Sequence, residues 1–302
     1  MRGAACATLL TALLAALLAS CASLAAPAPV PAGLPRALRP IPADRAAAEA
    51  RWRAHPDELD AWVWYGRRIA YEGDFAGAVA LYTQALERFP DEPELLRHRG
   101  HRYLSLRRPR EAHDDLARAA RLLEGRPDAV ELDGAPNELD VPRGTLLTNV
   151  WYHLGLACHL LERDEEAARA FAQCLALAPN DDFRVAAAYW RTLALVHLGR
   201  ADDARALAGH FAAQALDLME SFDYAALLAL LAGTDRRAAA ELAADPQPLS
   251  RATLTYGVAM AQRLAGDDAA ARALLEPLVA APTAAFGCLA AEAELERMAR
   301  AR

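Results

Sequence analysis

Between residues 59 and 90 the apolar positions fall three and four apart, first at Trp62, Tyr65, Gly66 and Ile69, then at Ala78, Tyr82 and Ala85. That spacing puts each set on one face of an α-helix, and the break between them predicts two helices joined by a turn. The pattern returns after 34 residues: Gly66 is followed by Gly100, Ala78 by Ala112 and Ala85 by Ala119. A fixed period of this length predicts a stack of helical hairpins, each covering the apolar face of its neighbour. The rest of the chain is rich in alanine and leucine and poor in β-branched residues, which favours helix throughout.

The first unit carries Trp62, Tyr65, Gly66, Ile69, Ala78, Tyr82, Ala85 and Pro90, and the second Leu96, Gly100, Tyr103, Ala112, Leu116 and Ala119. A third carries Trp151, Leu154, Gly155, Cys158, Ala167, Phe171, Cys174 and Pro179. These units resemble the tetratricopeptide repeat, whose pattern is W-x2-L-G-x2-Y…A-x3-F…P. The resemblance implies an all-α solenoid of helical hairpins wound as a right-handed superhelix. Small residues at the glycine and alanine positions let the two helices of a hairpin, A and B, approach closely.

Beyond Pro179 the pattern weakens, but Gly199, Gly233 and Gly266 keep spacings of 34 and 33 and each precedes an alanine-rich segment. About six repeats are expected, at 59–92, 93–126, 148–181, 185–218, 219–251 and 252–285, within a solenoid spanning 44–302. Ahead of them, "ADRAAAEARWRAHP" ends in Pro56 and resembles a lone helix B. After them, residues 286–302 place Phe286, Leu289, Ala290 and Ala293 on one face, which suits a solubilising capping helix. Asp74, Asp164, Asp202 and Asp267 stand at the starts of second helices, where a carboxylate caps free N–H groups and offsets the helix dipole.

The first residues follow another logic. Arg2 precedes an apolar run of about 16 residues, the length of a signal peptide and short of a membrane span. The run closes on Leu18-Ala19-Ser20-Cys21, which resembles the bacterial lipobox. That resemblance implies a signal peptide over 1–20 and lipidation of Cys21. Ala22, rather than aspartate, implies the outer membrane, with the protein facing the periplasm. An ordinary cleaved signal cut near "ASLAA", or an uncleaved anchor, is the alternative. Residues 21–43 hold prolines at 27, 29, 31, 35, 40 and 42 and are expected to form an extended tether.

Charge and composition exclude several functions. The net charge is −7, which speaks against a general nucleic-acid binder. All 33 basic residues are arginine, so neither a Schiff base nor a phosphate-loop lysine exists. No hydrolase or phosphate-binding motif is present, so no enzyme activity, cofactor or small-molecule substrate is indicated. Cys158, Cys174 and Cys288 lack metal-ligand spacing, and antiparallel register puts Cys158 and Cys174 about 10 Å apart, too far for a bridge.

The stretch "RHRGHRY" (Arg97 to Tyr103) concentrates the polar chemistry. In tetratricopeptide proteins positions 2, 5, 6, 9, 12 and 13 of helix A line the concave face. The resemblance therefore implies a groove containing Asp60, Val63, Trp64, Arg67 and Tyr71 from repeat 1, Arg97, His98 and His101 from repeat 2, and Asn149, Tyr152, His153 and His159 from repeat 3. Arginine, histidine and aromatic residues suit carboxylates, phosphates or an extended peptide. A solvated charged face is the plainer alternative. A version of the fold that clamps peptide carboxylates uses other residues at most of these positions, so that specificity does not transfer.

The acidic insert at 126–147, with five acids against two arginines, is read either as a lid on the basic face or as a tolerated insertion. Asp128, Glu131 and Asp133 are its candidate contacts. Residues 59–180 also look like bacterial tetratricopeptide proteins of unassigned role, and the tetratricopeptide lipoproteins that the chain resembles serve outer-membrane assembly, pilus or secretion machinery, and envelope enzymes. The expectation is a non-catalytic, lipid-anchored scaffold that holds a protein or peptide partner in the groove of repeats 1–3. The alternatives are a metal or catalytic site built on His98, His101 and His153, and self-association through the apolar C-terminal repeats.

Overall fold

The computed structural model describes residues 41–132, 141–235, 247–280 and 283–300. The predicted signal peptide, Cys21 and nearly all of the tether fall outside them. Thirteen α-helices run through the described residues: α1 (Arg45–Ala54), α2 (Leu59–Tyr71), α3 (Phe75–Arg88), α4 (Pro93–Ser105), α5 (Pro109–Leu123), α6 (Leu146–Leu160), α7 (Asp164–Leu177), α8 (Asp181–His197), α9 (Ala201–Ala212), α10 (Phe222–Leu231), α11 (Pro248–Leu264), α12 (Asp268–Ala280) and α13 (Phe286–Arg300). None is long and apolar enough to cross a membrane. The hairpins α2/α3, α4/α5, α6/α7, α8/α9 and α11/α12 stack in chain order. The helix α10 opens the fifth unit, whose second half falls on 236–246, outside the described residues. The architecture is an all-α solenoid.

The periodic glycines sit where two helices nearly touch. A methyl group on Gly66 would lie 2.4 Å from the Tyr82 ring, and one on Gly155 would lie 2.6 Å from Phe171. Phe171 is fully buried and has nowhere to retreat. In an open helix Gly→Ala gains about 1 kcal/mol, but overpacking a tight core costs about 1–3 kcal/mol. Gly155→Ala is therefore expected to lower stability in chemical denaturation, and a stabilised variant would refute the close approach.

The turn between helices needs one residue in the left-handed region. Glycine fills it at Gly73, Gly199, Gly233 and Gly266, with φ between 71° and 87°. Repeats 2 and 3 instead use Arg107 and Glu162, each at φ 58°, a conformation that strains a residue with a Cβ. Both of these side chains form ion pairs with α13: Arg107 Nε reaches Glu292 Oε2 at 2.7 Å, and Glu162 pairs with Arg300.

That helix departs from the expected terminal cap. It packs on α11 and α12 but also folds back against α6 of repeat 3. The predicted apolar residues Leu289 and Ala290 are buried, and so are Gly287, Ala291, Glu294 and Met298. The helix thus fills space between repeats and does not merely cover the last one. At the other end α1 behaves as expected of a lone helix B, capped by Asp44, which accepts from Ala47 N at 2.8 Å, and packed on α2.

The insert between repeats 2 and 3 also differs from an unstructured loop. Val130–Glu131 and Gly144–Thr145 form a two-residue antiparallel ladder, β1 and β2, with Glu131 opposite Gly144. Gly144 lies so close to α6 and α8 that a methyl group there would meet Asn149 at 2.7 Å and Phe183 at 2.9 Å. Thr145 then starts α6 through a capping box with Thr148. Asp128 accepts from Leu147 N at 3.0 Å, so it holds the start of α6 and makes no lid contact, while Asp133 lies outside the described residues. Cys158, Cys174 and Cys288 are free and buried, in keeping with the register argument.

Candidate functional site

Helices α2, α4 and α6, the A helices of the first three repeats, surround a cavity of about 300 Å3. Arg67 and Tyr71 come from α2, Arg97, His98, His101 and Arg102 from α4, and Asn149 from α6. Glu131 and Gly144 of the ladder, with Ala70, Tyr82, Arg143, Phe183 and Glu220, complete the lining. The rim is held by Asp182, which accepts from the backbone N–H groups of Met219, Glu220 and Ser221 at 2.9–3.1 Å and from Arg143 Nη2 at 2.6 Å. Burial opposes ionisation of Asp182, but those donors outweigh it and hold the carboxyl below its ordinary range.

The cavity is cationic. Arg97 Nη2 meets Glu131 Oε1 at 2.8 Å, and both side chains are buried. Arg67 lies on the Trp64 ring, 4.4 Å from its centroid, and donates from Nε to Tyr71 Oη at 3.2 Å. Burial works against its charge, yet Glu131 and Tyr71 leave its pKa raised. Arg102 stacks over Phe75 at 5.6 Å, and no described carboxylate pairs with it. Burial, reinforced by Arg97 and Arg67, lowers its pKa to about 10, so it stays charged at neutral pH.

The histidines are the opposite case. Burial first, then the neighbouring guanidiniums, pushes His98, His101 and His153 well below their ordinary value, so these rings are neutral. Their hydrogen bonds fix tautomers. Arg97 Nη1 donates to His98 Nδ1 at 3.1 Å, which places the proton of His98 on Nε2. His153 Nδ1–H donates to the Asn149 carbonyl at 2.7 Å.

Of the residues predicted to line the groove, Arg67, Tyr71, Arg97, His98, His101 and Asn149 meet at the cavity. The others do not line it. Asp60 turns towards α1 and pairs with Arg51 at 2.6 Å. Trp64 is buried beneath Arg67, and Val63 is buried in the core. Tyr152 accepts from Trp190 Nε1 at 3.0 Å and meets the Tyr224 hydroxyl at 3.1 Å. His153 packs against His101, ring centres 4.3 Å apart, and is covered by Phe286 of α13. His159 lies in the core with Nε2 2.9 Å from the Tyr256 hydroxyl. For the repeat 3 residues the cause is the C-terminal half: Tyr224 of α10 meets Tyr152, Tyr256 of α11 meets His159 and Phe286 of α13 covers His153, which buries what a register of isolated repeats leaves open.

Sequence reasoning missed Arg102, Arg143, Phe183 and Glu220. Arg102 falls at position 10 of its helix, between the expected concave positions 9 and 12, and its signal was the acid-free run of six arginines from Arg97 to Arg110 that begins in RHRGHRY. The histidine metal site is not formed either. Among the described residues, ligand atoms of metal-binding types approach one another at His113, Cys158 and Glu166 and at His159, Asp164 and His197, but not at His98, His101 and His153. Arg97 and Arg102 stand beside those three rings and would repel a cation.

Comparison with known families matches a tetratricopeptide repeat profile to residues 148–181 and a second one to residues 59–102. The chain carries tetratricopeptide repeats. The matched segments contain α2, α3 and most of α4, and then α6, except for its first two residues, with all of α7. Among solved structures, the chain is similar to a tetratricopeptide repeat protein from Parabacteroides merdae at 18% identity, covering 84% of this chain and 79% of that one, with a TM-score of 0.45. It is similar to YrrB, described as a tetratricopeptide repeat protein with an unusual peptide-binding site, at 15% identity over 83% and 98% of the two chains, TM-score 0.45. PilW, described as a widely conserved type IV pilus biogenesis factor, matches at 18% identity over 73% and 92%, TM-score 0.43. No curated protein matches. Tetratricopeptide repeats generally serve as protein–protein interaction scaffolds.

Proposed function

We propose that this protein is a non-catalytic interaction scaffold that holds a protein or peptide partner at the cavity of repeats 1–3. The observation that carries this reading is the cluster of Arg67, Arg97 and Arg102 on the inner face, with Tyr71 at the rim 46% exposed. Arginine forks offer planar, directional donors, and an exposed ring beside them offers a platform for a peptide side chain. On this reading Cys21, lipidated after removal of residues 1–20, attaches the scaffold to the bacterial outer membrane on its periplasmic side, and the proline-rich tether holds the solenoid off the lipid.

A photo-crosslinking residue in place of Tyr71, in the full-length protein expressed in bacteria, tests this. It is expected to capture a discrete partner, and Arg102→Glu is expected to abolish the capture. The same crosslinker at Leu249, which is 67% exposed on α11, is expected to capture none. Equal capture at both positions, or capture indifferent to Arg102→Glu, would reject the cavity as the binding face. Cys21→Ser in the same strain is expected to move the protein out of the membrane fraction. Retention of the serine variant there would reject the lipid anchor.

A further inference from the structure

The cavity is short of acceptors. Arg97 Nε and His98 Nε2 are buried atoms with no hydrogen-bond partner among the described residues, in side chains only 9% and 5% exposed. The tautomer set by Arg97 makes His98 Nε2 a donor, and it sits 4.0 Å from Glu131 Oε1, beyond hydrogen-bond reach. Arg102 adds a guanidinium with no described carboxylate. Glu131 Oε2 is a buried acceptor that also has no hydrogen-bond partner among the described residues. Buried donors left without acceptors are costly, so a group supplying oxygen acceptors and one negative charge would satisfy the set.

We propose that the cavity receives a single carboxylate from an acidic peptide segment, and that Glu131 stands in its place in the free protein. The inference rests on the scaffold reading above and names the chemistry recognised at that site. The stand-in itself is the argument for a peptide carboxylate: a glutamate on an extended strand already lines the cavity and pairs with Arg97. An incoming acid would pair with Arg102 and take the donors that Glu131 leaves idle. The ladder beneath Glu131 is only two residues long and offers little resistance to its displacement.

The test measures binding of a labelled, acetylated and amidated pentapeptide of alternating alanine and glutamate to the full chain in detergent. The expected result is saturable binding that weakens with salt, with no binding of the glutamine counterpart. Glu131→Gln removes the competing charge and is expected to tighten binding about tenfold. Arg102→Gln is expected to weaken it about tenfold at unchanged melting temperature. A glutamine peptide with a free C-terminal carboxylate and inorganic phosphate, used as competitors, separate a side-chain acid from a chain terminus and from phosphate. Competition by phosphate alone would overturn the peptide assignment.

Equal binding of the glutamate and glutamine peptides, or an affinity indifferent to Arg102→Gln, would also overturn the proposal. Should Glu131→Gln melt early because Arg97 loses its partner, the Arg102 variant decides alone. A partner captured at Tyr71 together with a failed glutamate peptide would sink this inference and leave the scaffold reading standing.

Discussion

Glu294→Ala is expected to undock the C-terminal helix and lower the melting temperature by about 6–12 °C, the equivalent of about 3 kcal/mol in a chain of this size. Glu294 is 1% exposed on α13, with Oε2 2.9 Å from His197 Nε2, and it also pairs with Arg263. The other nitrogen of His197 lies 3.2 Å from Asp164 Oδ1, and Arg297 grips the same carboxylate at 2.7 Å and 3.0 Å. This network joins α13 to α7, α8 and α11. Burial opposes every charge in it, yet the pairing outweighs burial: His197 is raised, Glu294 is lowered to about 2, and Asp164 is held below its usual range.

Deleting one member leaves the others buried and underpaired, and that penalty sets the size of the effect. The contrast is Glu292→Ala, which removes the pair with Arg107 on a part-exposed surface and is expected to cost below about 1 kcal/mol. Hydrogen exchange locates the loss: in Glu294→Ala, α11 and α13 are expected to lose protection while α2 to α5 keep theirs, because stability in a solenoid passes between neighbours. Uniform loss along the chain, or two substitutions of equal cost, would show that the latch does not hold α13.

This latch also marks the limit of what the sequence discloses. The period of 34, the glycines facing Tyr82 and Phe171 and the left-handed turns at Gly199, Gly233 and Gly266 were legible, because each is a contact within one hairpin and recurs with the repeat. Arg67, Arg97, His98 and His101 were placed by the same register. The return of α13 was not legible. It depends on contacts between residues 107 and 292 or 164 and 297, which no local pattern encodes. Arg107 and Glu162 gave a faint signal, being non-glycine residues at a position where four other repeats carry glycine, and both pair with α13. The two-residue ladder went unseen for a related reason. Glu131 looked like one of several loop acids until Gly144 and Thr145 set its direction.

Acidification from pH 7.5 to 5 is expected to destabilise the folded chain steadily, beginning near pH 6.5. His98, His101 and His153 are held well below their ordinary value by burial and the guanidiniums around them, and His159 is lowered to about 3 by burial and His197. In the unfolded chain all four titrate near about 6.5. Below that pH the unfolded state takes up protons that the folded state refuses, so stability falls by about 1.4 kcal/mol per pH unit for each ring that stays neutral.

His197 runs the other way. Its raised value gives stability that is fully present below about pH 6.5 and is lost as pH rises through its folded value. The lowered carboxylates Asp164 and Glu294 contribute above about pH 4 and lose that only as pH falls through their folded values, so they stay constant across this window. Four neutral rings against one charged ring leave a net loss on the acid side. Urea denaturation at half-unit steps measures it, and a stability that stays flat to pH 5 would contradict the burial of these rings. His153→Gln keeps a neutral donor for the Asn149 carbonyl and is expected to reduce the slope by about one proton, which assigns the effect to the inner face of repeats 2 and 3.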